Sequence, residues 1–377
     1  MDLMKIAICC DIQSFEGDSL RDREWASRFP GSGWITSLYE RQTSLSIEIA
    51  SGDVALQRVK SGQWRAGDVQ VVQELDARHG MELCRLGAEP AVLTVFESPL
   101  IAYRSLDRLV RSSVGFAHCI GPRPLFERMP AQQRAAHWPL TFPNHWQDQT
   151  VIPVPWSERR YTILVAANKY WREPGLDRIR SAKQALRWLR HGLRKQFSTT
   201  YGACRNLQLH DVRLALLEHL AVHGQIDVFV AGCENRTNLP RDWENRLAPV
   251  SSIFRGRCGD KFDLVRHYRF TIAFENTTYP GYVTEKLGDS LVAMAVPIYY
   301  GAPDVTVQFP RNVFLDAHAL GSPSAIADRL QQITESEAMD MLAAGQMFLR
   351  SPQGQRYSYE GFGEWIVSLL HGKEGRG

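Results

Sequence analysis

No stretch of this sequence approaches the ~20 consecutive apolar residues that a membrane-spanning helix requires. A secretory leader is not expected either. Met1-Asp2-Leu3-Met4-Lys5 runs straight into a strand-like Ile6-Ala7-Ile8-Cys9-Cys10, too short and too poorly flanked for a signal h-region. Cysteines are few and unpatterned: Cys9, Cys10, Cys84, Cys119, Cys204, Cys233 and Cys258 form no C-x-x-C pair and no zinc-ligand spacing. That argues against a disulfide framework and leaves free thiols in a reducing compartment. The eleven histidines show no ligand spacing either, so no metal site is expected. Repeats and low-complexity tracts are absent. An excess of one charge is also missing: 44 Lys and Arg against 41 Asp and Glu leave +3, so nucleic acid is not expected and any anion site is local. The expectation is a cytoplasmic protein, at most peripheral at the inner face of a membrane. Asn235-Arg236-Thr237 and Asn276-Thr277-Thr278 fit the glycosylation pattern but carry no meaning in that compartment.

What is present is an alternation of short apolar strands with helical segments, the pattern of an α/β fold with parallel sheets. At 377 residues the chain exceeds one comfortable core and fits two domains. In the first half the pattern predicts strands at Lys5–Asp11, Asp68–Glu74, Ala91–Phe96 and Val114–Ile120, with a helix at Tyr103–Arg111. From Trp138 to Trp156 prolines and aromatics replace periodicity, as at an interdomain crossing. This gives an N-terminal domain over 1–150 and a C-terminal domain over 151–358. The second half predicts strands at Tyr161–Ala167, Ile226–Ala231, Tyr268–Phe274 and Val296–Tyr300, a helix at Asp211–Val222 and another opening at Thr284. A last helix, about 359–370, is expected to pack back on the first domain. The result is two Rossmann-like halves facing a cleft, with ligand at the carboxyl ends of the strands.

The stretch Tyr268 to Leu287 reads YRFTIAFENTTYPGYVTEKL. It is a strand, a polar loop with Pro280 and Gly281, and a helix for which Thr284 is a good N-cap residue. A helix N-terminus after a parallel strand suits phosphate. Lys286 can neutralise a pyrophosphate oxygen, and Glu285 can accept from vicinal ribose hydroxyls. The plain alternative is a helix start merely capped and charged.

Phe274-Glu275-Asn276, Tyr282-Val283-Thr284-Glu285-Lys286 and Val296-Pro297-Ile298-Tyr299-Tyr300-Gly301-Ala302-Pro303 resemble the ordered signature of the α1,3/4-fucosyltransferases. The likeness extends through Phe314-Leu315-Asp316 and back through Lys261 and Tyr268-Arg269-Phe270, about the last third of the chain. Elsewhere it rests on short pieces. Phe96-Glu97-Ser98-Pro99 is similar to the family's F-E-S-P element, which implies Glu97 as catalytic base. Arg213 is similar to the arginine that pairs with the donor diphosphate. The resemblance implies a GT-B fold and inverting transfer of fucose from GDP-fucose. The acceptor would be a glycan hydroxyl, α1,3 or α1,4 on N-acetylglucosamine or glucose of a cell-surface polysaccharide. It implies Arg213 and Lys286 on the diphosphate, Tyr282 and Glu285 on the ribose, and Asn276 beside the phosphates or sugar. Glu275 is left open between a sugar contact and a support behind the site. Another GDP-hexose, or a catalytically silent GDP-sugar or glycan-binding protein, remains the alternative.

The chain lacks an Asp-x-Asp, the motif that holds a divalent ion in many sugar transferases, so leaving-group neutralisation by fixed cations is expected, with no cofactor. It departs from the family at Gly288-Asp289-Ser290, where a bulkier, more basic turn is common, at Ala273, where cysteine is common, and in a longer segment from Lys169 to Arg205. Within that segment, 178–195 carries Ile179, Ala182, Leu186, Leu189 and Leu193 on one helical face, beside Arg178, Arg180, Lys183, Arg187, Arg190, Arg194 and Lys195. The favoured expectation is a solvated helix with its stripe on the core. The sharper one is a basic amphipathic helix meeting an anionic membrane.

Overall fold

The computed structural model describes residues 3–26, 28–29, 31–166, 181–230, 245–246 and 252–372. Two six-stranded sheets organise them, and every strand pairing recorded within either sheet is parallel. The first holds β1 (Met4–Cys9), β2 (Ile47–Ser51), β3 (Val69–Glu74), β4 (Glu89–Thr94), β5 (His118–Ile120) and β6 (Ala136–Trp138), in the order β2-β1-β3-β4-β5-β6. The second holds β7 (Arg160–Ala166), β8 (Ile226–Val230), β9 (Phe254–Gly256), β10 (Tyr268–Phe274), β11 (Val296–Tyr300) and β12 (Leu315–Asp316), in the order β12-β11-β10-β7-β8-β9. The strand order reverses beside β1 in one sheet and between β7 and β10 in the other. Such reversals open a crevice at the carboxyl ends of the strands.

The strands are apolar on both faces because helices cover both. Along β1, Ile6 and Ile8 join one core while Ala7 and Cys9 join the other, the period-two consequence of the pleat. The Ile6 side is covered by α1 (Gly33–Glu40) and by the chain's last described helix, Tyr359–Leu370, whose Phe362, Trp365 and Ile366 are buried there. At about 25 cal/mol per Å² of apolar surface, each of those three stabilises the first domain by roughly 2 kcal/mol. The second sheet is likewise sandwiched between the Leu214, Leu217 and Leu220 face of one helix and the Leu287 and Leu291 face of another.

Four strands escape the sequence pattern: β2, β6, β9 and the two-residue β12. Two are only three residues long, and β2 carries Glu48 and a terminal Ser51 within IEIAS. The strand predicted to reach Phe96 ends at Thr94. Phe96 instead packs its ring on Phe142 and Phe362, and Pro99 opens α2 (Pro99–Val110).

The basic helix is real but faces the other way from the favoured expectation. In α3 (Ala182–Gln196), Leu186, Leu189 and Leu193 are 49%, 51% and 45% exposed, and Phe197 just beyond is 79% exposed. The stripe does not lie on a core. The reason is visible in α4 (Thr199–Cys204), which leaves the second domain and docks on α2 of the first. Thr200 donates its hydroxyl to Asp107 at 2.7 Å, Tyr201 packs edge-on against Tyr103, and Cys204 enters the first domain's core. That tether holds the end of α3 at the domain surface. Arg178, Ile179 and Arg180, the side chain of Arg187, Cys233, the sequon at Asn235 and the predicted strand ends Ala167 and Ala231 lie outside the described residues.

Candidate active site

At the carboxyl end of β10 the chain buries a carboxylate completely. Glu275 is 0% exposed and serves as the hub of the loop that leads to the next helix, α7 (Glu285–Val292), which follows α5 (His210–Val222) and α6 (Lys261–Val265) in the chain. Its Oε1 accepts from Thr284 N at 2.7 Å, its Oε2 accepts from Lys286 Nζ at 3.0 Å, and Thr284 Oγ1 lies 3.0 and 2.8 Å from the two oxygens. Burial pushes the Glu275 carboxyl up, against the pull of Lys286. The Lys286 ammonium is held above its ordinary value: burial works against the charge, but Glu275 and Glu285 outweigh it.

This corrects the simple capping picture. Thr284 has the extended backbone of an N-cap, but its side chain does not cap α7; the hydroxyl turns to Glu275 instead. A carboxylate at the N-terminus of α7 also complements the helix dipole. Glu275 therefore lies behind the helix start and holds the Thr284 hydroxyl and the Lys286 ammonium.

Arg213, on the first turn of α5, is 4% exposed rather than solvated. Its Nη2 donates to the carbonyls of Phe274 and Glu275 at 2.8 and 2.9 Å, so the guanidinium is brought to the same strand end as Lys286. The pairing of 207–209 with 276–278 fixes that approach: Leu209 N donates to Asn276 O, and Thr278 N to Leu207 O. Asn276 is 7% exposed in this loop. Glu285 remains partly open beside Lys286, 3.6 Å from its ammonium; burial opposes its charge, but Lys286 and Lys261 prevail and hold its carboxyl below the ordinary range. Tyr282 is placed elsewhere. It is 1% exposed and, with Tyr279, is enclosed in the first domain's apolar cluster, so here its ring offers no face to a ribose.

Glu97 sits in the turn between β4 and α2, half-buried, with Oε1 accepting from Ser98 N at 2.9 Å while Ser98 Oγ accepts from Leu100 N. Phe96 and Leu100, which flank it, pack on the same cluster that takes in Tyr279 and Tyr282. Gly281, at φ +74, passes so near Pro122 that an added Cβ would stand 3.2 Å from the proline Cα. The loop running from Glu275 to α7 thus reaches the first domain at Pro122, just after β5, the strand paired with β4.

Sequence reasoning missed one group. Asp289, 6% exposed on α7, accepts from Lys261 Nζ on Oδ2 and from Asn144 Nδ2 at 2.8 Å on Oδ1. Lys261 and Asp289 were visible only as a matched residue without a role and as a departure from the family pattern.

Two parallel six-stranded Rossmann-like sheets, each with charged groups at the carboxyl ends of its strands, define a GT-B glycosyltransferase fold. HepE of Anabaena in complex with UDP-glucose superposes over 98% of this chain and 100% of that one, with a TM-score of 0.55 at 11% identity. A crystal structure of an α1,3-fucosyltransferase does so over 98% and 90%, with a TM-score of 0.52 at 16% identity. Residues 194–341 match the family model described as Glycosyltransferase family 10 (fucosyltransferase) C-term. The α-(1,3)-fucosyltransferase FucT of Helicobacter pylori is 32% identical over 103 residues, 27% of this chain and 21% of that protein. The chain thus spans about a fifth of the length of the curated relatives it matches.

Proposed function

We propose that the protein is an inverting glycosyltransferase that moves fucose from GDP-fucose to a hydroxyl of a glycan acceptor, α1,3 or α1,4 on N-acetylglucosamine or glucose. The observation that carries this reading is the buried Glu275–Thr284–Lys286 group with Arg213 at the end of β10, inside the family 10 segment. Departure of GDP needs its diphosphate charge neutralised. Lys286 and Arg213 supply fixed positive charge there, each charge-assisted bond stabilising the leaving group by roughly 1.5–3 kcal/mol. Glu285, partly open, takes the ribose hydroxyls, and Asn276 lies beside the phosphates. Glu97, at the opposing strand end, removes the acceptor proton as the hydroxyl attacks the anomeric carbon from the face opposite GDP. A positioned base accelerates this by about 10²–10⁴-fold.

Transfer proceeds in this proposal without a metal, since the site brings its own cations. Peripheral contact with an anionic membrane at its cytoplasmic face, through the 178–195 segment, belongs to the same reading. It is supported by the exposed Leu186, Leu189, Leu193 and Phe197 ridge beside Lys183, Arg190 and Arg194, the arrangement of an interfacial helix. The test is GDP release from a panel of GDP-sugars, with and without glycan acceptors and EDTA. Acceptor-dependent release from GDP-fucose that survives EDTA is expected. Release from another GDP-hexose alone would move the donor, and restoration only by manganese or magnesium would place a metal in the site.

A further inference from the structure

The two chain crossings between the domains run side by side. Asn144 N donates to Tyr357 O and Tyr359 N donates to His145 O, both at 2.8 Å, and His145 pairs with Ser358 in a parallel bridge. From this paired crossing one side chain reaches the start of the family 10 helix: Asn144 Nδ2 donates to Asp289 Oδ1, while Asp289 Oδ2 holds Lys261. Asp289 lies one turn after Glu285, so the same helix carries a candidate donor contact on its first turn and the crossing's anchor on its second. The approach depends on Gly288, where an added Cβ would stand 2.8 Å from Asn144 Nδ2. The departure Gly288-Asp289 from the family pattern is therefore what admits Asn144. Lys261 extends the chain of charges back to Glu285 and Lys286, both of which act on it electrostatically.

We propose that Asn144 and Asp289 are positioning residues that fasten the donor helix to the paired interdomain crossing, so that filling the donor site and setting the angle of the two domains are one linked equilibrium. The proposal rests on the donor reading of α7. A ligand shifts such an equilibrium only through contacts that differ between its states. A diphosphate at Lys286 and a ribose at Glu285 change the field that these two groups exert on Lys261, which Asp289 holds, and the Asn144 bond transmits the change to the crossing.

The experiment is hydrogen exchange of the full chain with GDP as probe. In the wild type, GDP slows exchange about tenfold both in peptides covering 284–290 and in those covering 142–147 and 355–360. In Asn144→Ala the first effect remains and the second disappears. Gly288→Ala, which crowds Asn144 without changing charge, does the same and serves where Asn144→Ala folds poorly. A purely structural role would loosen the crossing equally with and without GDP. Protection at 284–290 without any response at the crossing in the wild type would overturn the linkage, as would wild-type behaviour in both variants. No protection at 284–290 would instead refute the donor reading.

Discussion

Replacing Glu275 by Gln asks whether this carboxylate supports the site or touches sugar. Both oxygens of Glu275 accept, Oε1 from Thr284 N and Oε2 from Lys286 Nζ, with the Thr284 hydroxyl between them. A glutamine has one acceptor and one donor end. Whichever way it turns, an NH₂ faces either the Thr284 amide or the Lys286 ammonium about 3 Å away. Leaving a buried donor unmatched costs about 1–3 kcal/mol, and breaking a buried pair about 3–5. Lys286 is a quarter exposed and keeps Glu285 at 3.6 Å, so the lower part of that range applies and the loss is about 3 kcal/mol. For a domain of roughly 200 residues that lowers the midpoint by about 6–12 °C. The loosened Lys286 also weakens GDP itself, which calorimetry reads directly. If Glu275 touched the fucose instead, Glu275→Gln would keep stability and GDP affinity and lose only the extra affinity of GDP-fucose. That result would refute the supporting role.

Lys286→Ala removes one charge-assisted contact and weakens GDP by roughly ten- to a hundredfold in calorimetry; an unchanged affinity would contradict its place on the diphosphate. His145 is buried, and burial pushes its pKa down to about 4, so the fold holds it neutral. A folded pKa below the unfolded ~6.5 leaves its contribution intact above that pH and erodes it as pH falls toward 4, by about 2 kcal/mol at pH 5. Denaturant unfolding at pH 7 and 5 should therefore show a smaller loss in His145→Gln than in the wild type, and equal losses would count against the argument. The α3 ridge predicts pelleting with anionic phosphatidylglycerol vesicles, release at high salt, and failure to pellet in a Leu189→Glu, Leu193→Glu double variant. Equal recovery with neutral vesicles would remove the membrane from the account.

The second sheet was legible where strands are continuous apolar runs: β10 and β11 were placed residue for residue because Tyr268–Phe274 and Val296–Tyr300 are buried on both faces. Short edge strands were not, since three residues such as Ala136–Trp138 carry no period. Residue types gave Lys286 and Glu285 their chemistry, and the family likeness drew attention to Arg213 and Glu97. Burial was not legible. Nothing in FEN tells that Glu275 points back to Thr284, or that Tyr282 closes the first domain's core. The Asn144–Asp289 bond joins residues 145 positions apart, a distance no local pattern spans. The amphipathic period of α3 was plain in the sequence, but which side meets solvent depends on the docking of α4 onto α2.

The central claim, that Glu97 is the base, is tested by steady-state transfer from GDP-fucose in Glu97→Gln beside its GDP affinity. Glutamine keeps the size and can still accept from Ser98 N, so the turn and the donor site should stand and GDP should bind within about twofold of wild type. With basicity gone, acceptor-dependent transfer should fall by ~10²-fold or more. Transfer at near wild-type rate in Glu97→Gln, with GDP still bound, would contradict the account.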